Sequence, residues 1–544
     1  MCRITAYART HWWQGLCLGL GDESQLAEEH VIYTDKADIV CDCAGLAAFP
    51  DGDGPTVRNG IQLVGVMWRM AHTIAACPTN AHNALCNRHL RRPAFPIDSY
   101  PPQRPGLLDK LTPALAACYA SSLALGGIDG WRAAWSTAKL RSVDESLAFD
   151  SAKGGGLKSH VKREVYREKT VNKLPAKARL IQAYSTESDG YCLVQHYQAW
   201  SKALMRVTQE EHIIDGIKWQ VQYAAGMSHA DIAAFVTDCD LERQQYPCSF
   251  GYERDGVNWD ASRQTPVMDY LCGVYTAIDK ELGAHARAGI HCEGKVKFKN
   301  RKSIRYHVSG TRKSGHMDTS SGNSADDIES AYQSVRQLPA DILLALRVVR
   351  GLVLGDDLWL MLYFSTDVDM QRVEASLIAG DKLCGIEPEA RCFRSIMSMS
   401  FISLSFYPNF DGTWAAGPKL GRLLSGLFYT HKSVPDVIIP AYRNEIAQAF
   451  LPLYGTCPLV GSWLRQHCSR GHVAKSFLPH YLGLLGGGDV DWSSYLSNRY
   501  NLLPGWEDSI CRQVRHLKYG IVQCDAVDRI IDTDLCDLAD RTDA

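Results

Sequence analysis

The chain has 544 residues, of which 46% are hydrophobic and 22% charged, so it is long enough for a large core and several subdomains. Its formal net charge of -2 is uninformative in itself; a nucleic-acid enzyme with that charge has to concentrate its positive charge in a channel. Nineteen cysteines fall short of a disulfide scaffold, and with no signal-peptide pattern and no apolar run of membrane-spanning length they read as reduced thiols of a cytosolic protein.

The first 150 residues hold a Trp12-Trp13 pair, a Gly/Asp-rich segment from Pro50 to Pro55 and a Pro-rich segment from Arg91 to Pro105. Between them the stretch Leu63 to Ala76 has helical character. Cys77, His82, Cys86 and His89 can be drawn as a zinc site, but their spacings match no familiar finger, and buried thiols with surface histidines are the plainer reading.

From Lys158 to Arg179 the composition turns basic, with Lys158, Lys162, Arg163, Arg167, Lys169, Lys173, Lys177 and Arg179 against Glu164 and Glu168. A second basic block runs from Lys295 to Lys313. Either block alone reads as a solvated face. Placed on both sides of an acidic motif, the two suggest a polyanion gripped around a metal site.

Cys248 to Arg254 alternates like a strand and runs into Asp255-Gly256-Val257-Asn258-Trp259-Asp260, followed by a helix over Val267 to Ile278. One carboxylate at a strand end and a second five residues on, where the chain turns, fall near one cleft but face different groups. Asp260 or Ser262 also suits a helix cap, which is compatible with that role. Ser309 to Asn323 reads as a Gly-rich loop entering a helix over Ser324 to Val335; if the helix begins near Asp318, Thr319 and Asn323 share one face.

Arg350 to Phe364 reads as strand, tight turn, strand, with Asp356 and Asp357 in the turn and apolar residues on both sides. A Gly-Asp-Asp tripeptide arises by chance in roughly one chain in ten of this size, so it carries weight only with matching parts elsewhere. Two carboxylates about 4 Å apart repel by about 4 kcal/mol at an effective dielectric near 20, and hard oxygen donors select magnesium or manganese. Beyond it, Gly380-Asp381-Lys382 begins a loop, Ser398 to Tyr407 reads as a short hairpin, and from Leu420 onward the pattern is helical with core aromatics.

Taken in order, these pieces resemble the motif series of a viral RNA-dependent RNA polymerase, most similar to those of positive-strand tombusvirus-like and nodavirus-like viruses. The likeness covers roughly Lys158 to Trp414. Lys177, Arg179-Leu180-Ile181-Gln182 and the upstream Lys162-Arg163-Glu164 resemble the basic fingers motif. Asp255 to Asp260 resembles the first palm motif, Ser314-Gly315 through Thr319 to Asn323 the second, and Gly355-Asp356-Asp357 the third. A first motif starting at Asp260 would put Thr265 where the second carboxylate belongs, whereas starting at Asp255 retains both acids. His316 and Asp318 stand where tombusvirus-like enzymes commonly have Asp and Asn.

The resemblance implies an α+β right-hand fold of fingers, a palm with an antiparallel sheet and a helical thumb, closed by fingers-thumb contacts. Residues 1–150 would pack on fingers and thumb, 151–245 and 285–313 form the fingers, 246–284 and 314–415 the palm, and 416–544 the thumb. It implies two magnesium ions, replaceable by manganese, on Asp255, Asp356 and Asp357, with Lys382 as the acid for the leaving pyrophosphate. Lys162, Lys169, Lys177 and Arg179 would grip the triphosphate, and Asp260, Ser314, Gly315, Thr319 and Asn323 would hold the nucleotide. Partners would be an RNA template and product strand, ribonucleoside triphosphates, and other viral replication proteins or a membrane anchor supplied in trans, in a replication complex in the host cytoplasm. A polymerase of a double-stranded RNA virus, a reverse transcriptase and a non-enzymatic polymerase relative are the rival classes.

Overall fold

The computed structural model describes residues 80–81, 84–125, 157–162, 179–184, 194–297, 303–427, 436–469, 485–502 and 525–535, together with short strands at 39–41, 62–63, 66–67, 72–73, 165–166, 429–430 and 520–521. The protein is mixed α+β with several sheets. Its axis is the hairpin of Leu346–Leu354 and Asp357–Phe364, which pair antiparallel with Leu354 opposite Asp357. The reversal needs glycine, because Gly355 has φ +73° and a side chain there would be strained.

Cys248–Gly256 lies antiparallel beside Asp357–Phe364, and Pro388–Phe393 lies antiparallel beyond it. On the other flank Ile217–Tyr223 runs parallel to Leu346–Leu354, and His212–Ile214 completes the six strands. The pleat sends alternate residues of Asp357–Phe364 into two cores. Leu358, Leu360, Leu362 and Phe364 meet the helices Leu107–Leu125, Val194–Gln209, Thr265–Ile278, Thr319–Val335 and Met370–Leu383. Trp359, Met361 and Tyr363 meet the helix His229–Arg243 and the residues Phe401 and Phe406. With both faces covered, the strand reads as a continuous apolar run, as its sequence does.

The helix Thr319–Val335 is sealed inside the first core although it carries Asp326, Asp327 and Glu329, each fully buried. Such charges persist only with partners. Asp327 pairs with Arg254, Asp326 takes Arg263 Nη1 at 2.8 Å, and Glu329 accepts from the Leu108 N–H at 2.8 Å. Arg254 also pairs with Asp381, which accepts from Tyr252 Oη at 2.6 Å and Ser334 Oγ at 2.7 Å.

Asp381 corrects the expectation of a loop at Gly380-Asp381-Lys382. These residues lie in the helix Met370–Leu383. Gly380 serves close packing instead of a turn, since a Cβ there would stand 2.5 Å from Ser334 Cα. A second correction concerns Leu63 to Ala76, where the described residues are strands. Gln62–Leu63 pairs with Tyr429–Thr430, Val66–Met67 with Gly520–Ile521, and His72–Thr73 with Val165–Tyr166. Pairing with distant segments overrides the helical spacing of a short apolar run.

The basic segments meet in a five-stranded sheet ordered Ile39–Cys41, Ser303–Ser309, His291–Lys297, Leu157–Val161, Leu180–Tyr184. Its inner residues Val161, Leu180, Val296, Ile304 and Val308 pack on Ala84, Leu85 and Leu90. The expected hairpin forms between Ser400–Phe401 and Leu404–Pro408, reversing at Ile402 and Ser403. The expected helical C-terminal part comprises Leu420–Gly426, Ile439–Tyr454, Gly461–His467, Trp492–Tyr500 and Asp525–Leu535. Its aromatics are core, as Tyr407 shows by contacting the rings of Tyr495 and Trp492 at centroid distances of 4.6 and 5.0 Å. Among the described residues no helix is long and apolar enough to cross a membrane.

Candidate active site

Asp255, next to last in its strand, stands in register opposite Asp357 on one side and Glu389 on the other. Directly opposed residues of an antiparallel pair project to the same face with Cα atoms about 4.5–5.5 Å apart. Asp356 occupies the hairpin turn, held by the helix Thr319–Val335, whose Ser324 Oγ accepts the Gly355 N–H at 2.8 Å. Strand register thus sets Asp255 against Asp357, and one buried helix fixes the turn that carries Asp356.

Their electrostatics reflect the crowding. Burial, then the carboxylates of Asp356 and Glu389, push the Asp255 carboxyl up to about 7, against the pull of Arg179. Asp255 as a whole residue is exposed, so burial weighs less than the neighbouring carboxylates, and water screens part of their repulsion. Asp357 is raised well above the usual carboxylate range by burial, Asp356, Asp255 and Glu253, with Lys419 opposing. Asp356 is raised by burial and by Asp260, while Arg179 and Arg88 pull it down. A polyanionic cluster of this kind suits a divalent cation.

Asp260 sits on the short helix Trp259–Ser262 and takes a hydrogen bond from Ser314 Oγ. The loop carrying Ser314 is clamped on both sides. The Thr311 N–H donates to Arg263 O at 2.7 Å and the Arg312 N–H to Asp260 O at 2.9 Å. The Gln182 N–H donates to Ser314 O at 2.7 Å. Gly315 has φ +129° and lies so close to the strand Leu180–Tyr184 that a Cβ would meet Ile181 Cγ2 at 2.8 Å. Thr319 Oγ1 accepts the Gly315 N–H at 3.1 Å and donates to Lys313 O at 2.8 Å, so its described bonds hold the loop. Asn323, one turn further along, is buried, and its Oδ1 has no hydrogen-bond partner. An orphaned buried acceptor calls for a ligand or a water.

Of the basic residues, Arg179 is exposed and accepts the Lys162 N–H on its carbonyl at 2.8 Å. Its charge acts on Asp255, Asp260 and Asp356 alike. Lys169, Lys177, Cys77 and His82 lie outside the described residues. His89, drawn above as a possible zinc ligand, accepts the Leu180 N–H on Nε2 at 3.1 Å. Lys382 is exposed on the last helical turn, its ammonium 5.4 Å from the centre of the Phe95 ring, and takes no part in the described contacts of the four aspartates.

Sequence reasoning missed Glu389, Lys419 and Arg88, which reach the cluster from elements far away in the chain. It also missed Arg312, whose Nη1 pairs with the buried Asp318 at 3.1 Å and so braces the Ser314 loop. None of them has a local motif, and only register and packing reveal them. Among the described residues no three His, Cys, Asp or Glu side chains are gathered closely enough to enclose an ion as they stand. The fit to a divalent cation is thus one of donor chemistry and strand register, with Asp255, Asp356 and Asp357 supplying hard oxygens. No protein-family model matches this chain, and neither does any curated protein.

Proposed function

We propose that this protein is an RNA-dependent RNA polymerase that replicates a viral RNA genome from ribonucleoside triphosphates. The observation that carries the reading is the register of Asp255 against Asp357, with Asp356 in the adjoining turn under the influence of Asp260, which Ser314 holds, all in the order of the resemblance. In this reading the six-stranded sheet is the palm, the five-stranded basic sheet belongs to the fingers, and the helices after Leu420 are the thumb. The short strands at 62–73 pair with strands of both outer regions, which suits a fingers-thumb closure.

Asp255, Asp356 and Asp357 would hold two magnesium or manganese ions. Such ions supply Lewis acidity that lowers the pKa of a primer 3'-hydroxyl and neutralises charge on the α-phosphate and the leaving pyrophosphate. Arg179, with Lys162 beside it, binds the triphosphate and offsets the repulsion between phosphates and the acidic cluster. Asp260, Ser314 and Asn323 read the ribose: Ser314 already donates to Asp260, and the unpartnered Asn323 Oδ1 accepts from a sugar hydroxyl. Gly315 and Thr319 shape the loop that presents Ser314. Lys382 is the proposed proton donor to pyrophosphate. The template is read by base pairing, so the protein needs backbone contacts and a shaped channel.

The test is extension by purified protein on a defined RNA template, with and without primer, in magnesium and in manganese. Incorporation of ribonucleotides that Asp356→Ala abolishes supports the proposal. A preference for deoxyribonucleotides would make it a reverse transcriptase, and inactivity under all these conditions would favour a non-enzymatic polymerase relative.

A further inference from the structure

The segment before the Pro-rich stretch ends in a π-helical turn, Leu85–His89, that has no counterpart in the motif series quoted above. Its apolar side, Leu85 with Ala84 and Leu90, is buried against Val161, Leu180, Val296, Ile304 and Val308. That anchoring leaves the polar end of the turn at a junction. His89 Nε2 accepts the N–H of Leu180, the residue after Arg179, at 3.1 Å. The His89 carbonyl accepts Thr311 Oγ1 at 3.3 Å, and the next residue, Arg312, donates its N–H to Asp260 O. The turn also packs on the short helix Trp259–Ser262 that carries Asp260.

His89 is therefore bonded to the strand Leu180–Tyr184, which follows Arg179, and to the loop that leads to Ser314. Arg88 stands immediately before it, half-buried. Burial and the neighbouring guanidiniums of Arg88 and Arg179 hold His89 neutral, with its pKa at about 3. A neutral His89 can accept the Leu180 N–H, as its position demands. Both arginines also act on Asp260 and Asp356.

We propose that Arg88 is a nucleotide-binding residue contributed by the N-terminal segment, a second guanidinium that works with Arg179 on the triphosphate of the incoming nucleotide. The argument is one of charge and rigidity. A triphosphate brings several negative charges toward a cluster that already holds Asp255, Asp260, Asp356 and Asp357. Guanidinium is the side chain best matched to phosphate oxygens, and the backbone segments that carry the two arginines are tied together by the bond from the Leu180 N–H to His89. The assignment gives residues 85–89 a place in the active centre. It rests on the polymerase reading.

The experiment measures single-nucleotide incorporation by the full chain for wild type, Arg88→Gln and Arg88→Lys, with RNA affinity and melting temperature followed in parallel. Inhibition by inorganic tripolyphosphate serves as a probe of the phosphate site alone. Arg88→Gln should raise KM for the nucleotide about tenfold or more and weaken tripolyphosphate inhibition to match, while RNA affinity stays unchanged. Arg88→Lys should recover part of the loss. Unchanged KM and unchanged tripolyphosphate inhibition in Arg88→Gln would overturn the assignment while leaving the polymerase reading intact. A loss confined to kcat and melting temperature would overturn it too, making Arg88 only a counter-charge for Asp260. Absence of incorporation by the wild type in magnesium and manganese would instead overturn the polymerase reading.

Discussion

Asp255 stands directly opposite Asp357 across neighbouring antiparallel strands, so two carboxylates share one face at the mouth of the central hairpin. Nothing in the packing requires acids there. Apolar or amide side chains would satisfy the sheet at lower electrostatic cost.

Replacing these acids should therefore separate activity from stability. Asp255→Ala and Asp356→Ala are expected to lower incorporation by about a thousandfold or more while leaving the melting temperature equal or higher. Asp357→Ala should be severe, with a trace of activity in manganese. Primer extension and thermal melting of the same preparations provide the check; full extension by Asp356→Ala would remove the hairpin from the catalytic centre.

Sugar choice should depend on Asp260 and Asn323. A site built around a 2'-hydroxyl penalises the analogue without it by leaving buried polar groups unpaired, at about 1–3 kcal/mol each. Asn323→Ala or Asp260→Ala should narrow the preference for ribonucleotides over deoxyribonucleotides by roughly tenfold or more. Incorporation of both sugars by wild type and variants decides it, and equal losses for both would reduce these residues to a structural role.

RNA binding should be strongly salt-dependent despite the net charge of -2. In the five-stranded sheet Lys295 is opposite Arg305, and Arg305 and the nearby Lys297 are exposed while Val296, Ile304 and Tyr306 point inward. Neutralising Lys295, Lys297 and Arg305 together should reduce the slope of log affinity against log salt by about two to three. Titration at several salt concentrations measures the slope; no change would return this face to a solvated surface.

Acid should weaken the fold through His89, whose folded pKa of about 3 lies below its ordinary 6.5. Below pH 6.5 the unfolded chain takes up a proton that the folded protein refuses until about pH 3. The stability is thus complete above pH 6.5 and is lost as pH falls through that window, by about 1.4 kcal/mol per unit. His316, pushed to about 3 by burial and then by His285, Arg312 and Lys313, acts in the same direction. The raised carboxyls of Asp255, Asp356 and Asp357 act in the opposite direction over the same range, so the check is the difference between two proteins: denaturant unfolding between pH 7 and pH 4 should show a pH slope of stability that differs between wild type and His89→Gln by about one proton.

Asp381 and Lys382 are neighbours with opposite expectations. Asp381→Ala leaves the buried Arg254 with Asp327 alone and takes the acceptor from Tyr252 and Ser334, which should cost about 3–5 kcal/mol. Lys382→Ala, on the exposed side of the same turn, should change stability by less than about 0.5 kcal/mol. As the proposed proton donor it should slow incorporation by about a hundredfold, and pre-steady-state rates report that; an unchanged rate would return the role to another group.

The sequence alone determined the elements whose signal is local. The continuous apolar runs around Gly355 announced a buried hairpin, the Ser314-Gly315 loop announced a helix over Ser324 to Val335 that in fact begins five residues earlier, and the spacing after Leu420 announced helices with core aromatics. Asp255, Asp356 and Asp357 were nameable because each stands at a strand end or turn, where a motif of a few residues marks it. The helix expected over Leu63 to Ala76 and the loop expected at Gly380 failed for one reason. A short run satisfies several local patterns, and the choice among them is made by partners hundreds of residues away, such as Tyr429 for Leu63 or 46 positions away, such as Ser334 for Gly380. Only the tertiary structure could place Glu389 opposite Asp255, pack the turn carrying Arg88 on the helix that carries Asp260, and bury Asp326, Asp327 and Glu329 with arginine and backbone partners. Charge interactions fall with distance in space, and distance in space is settled by register and packing after the local elements have formed.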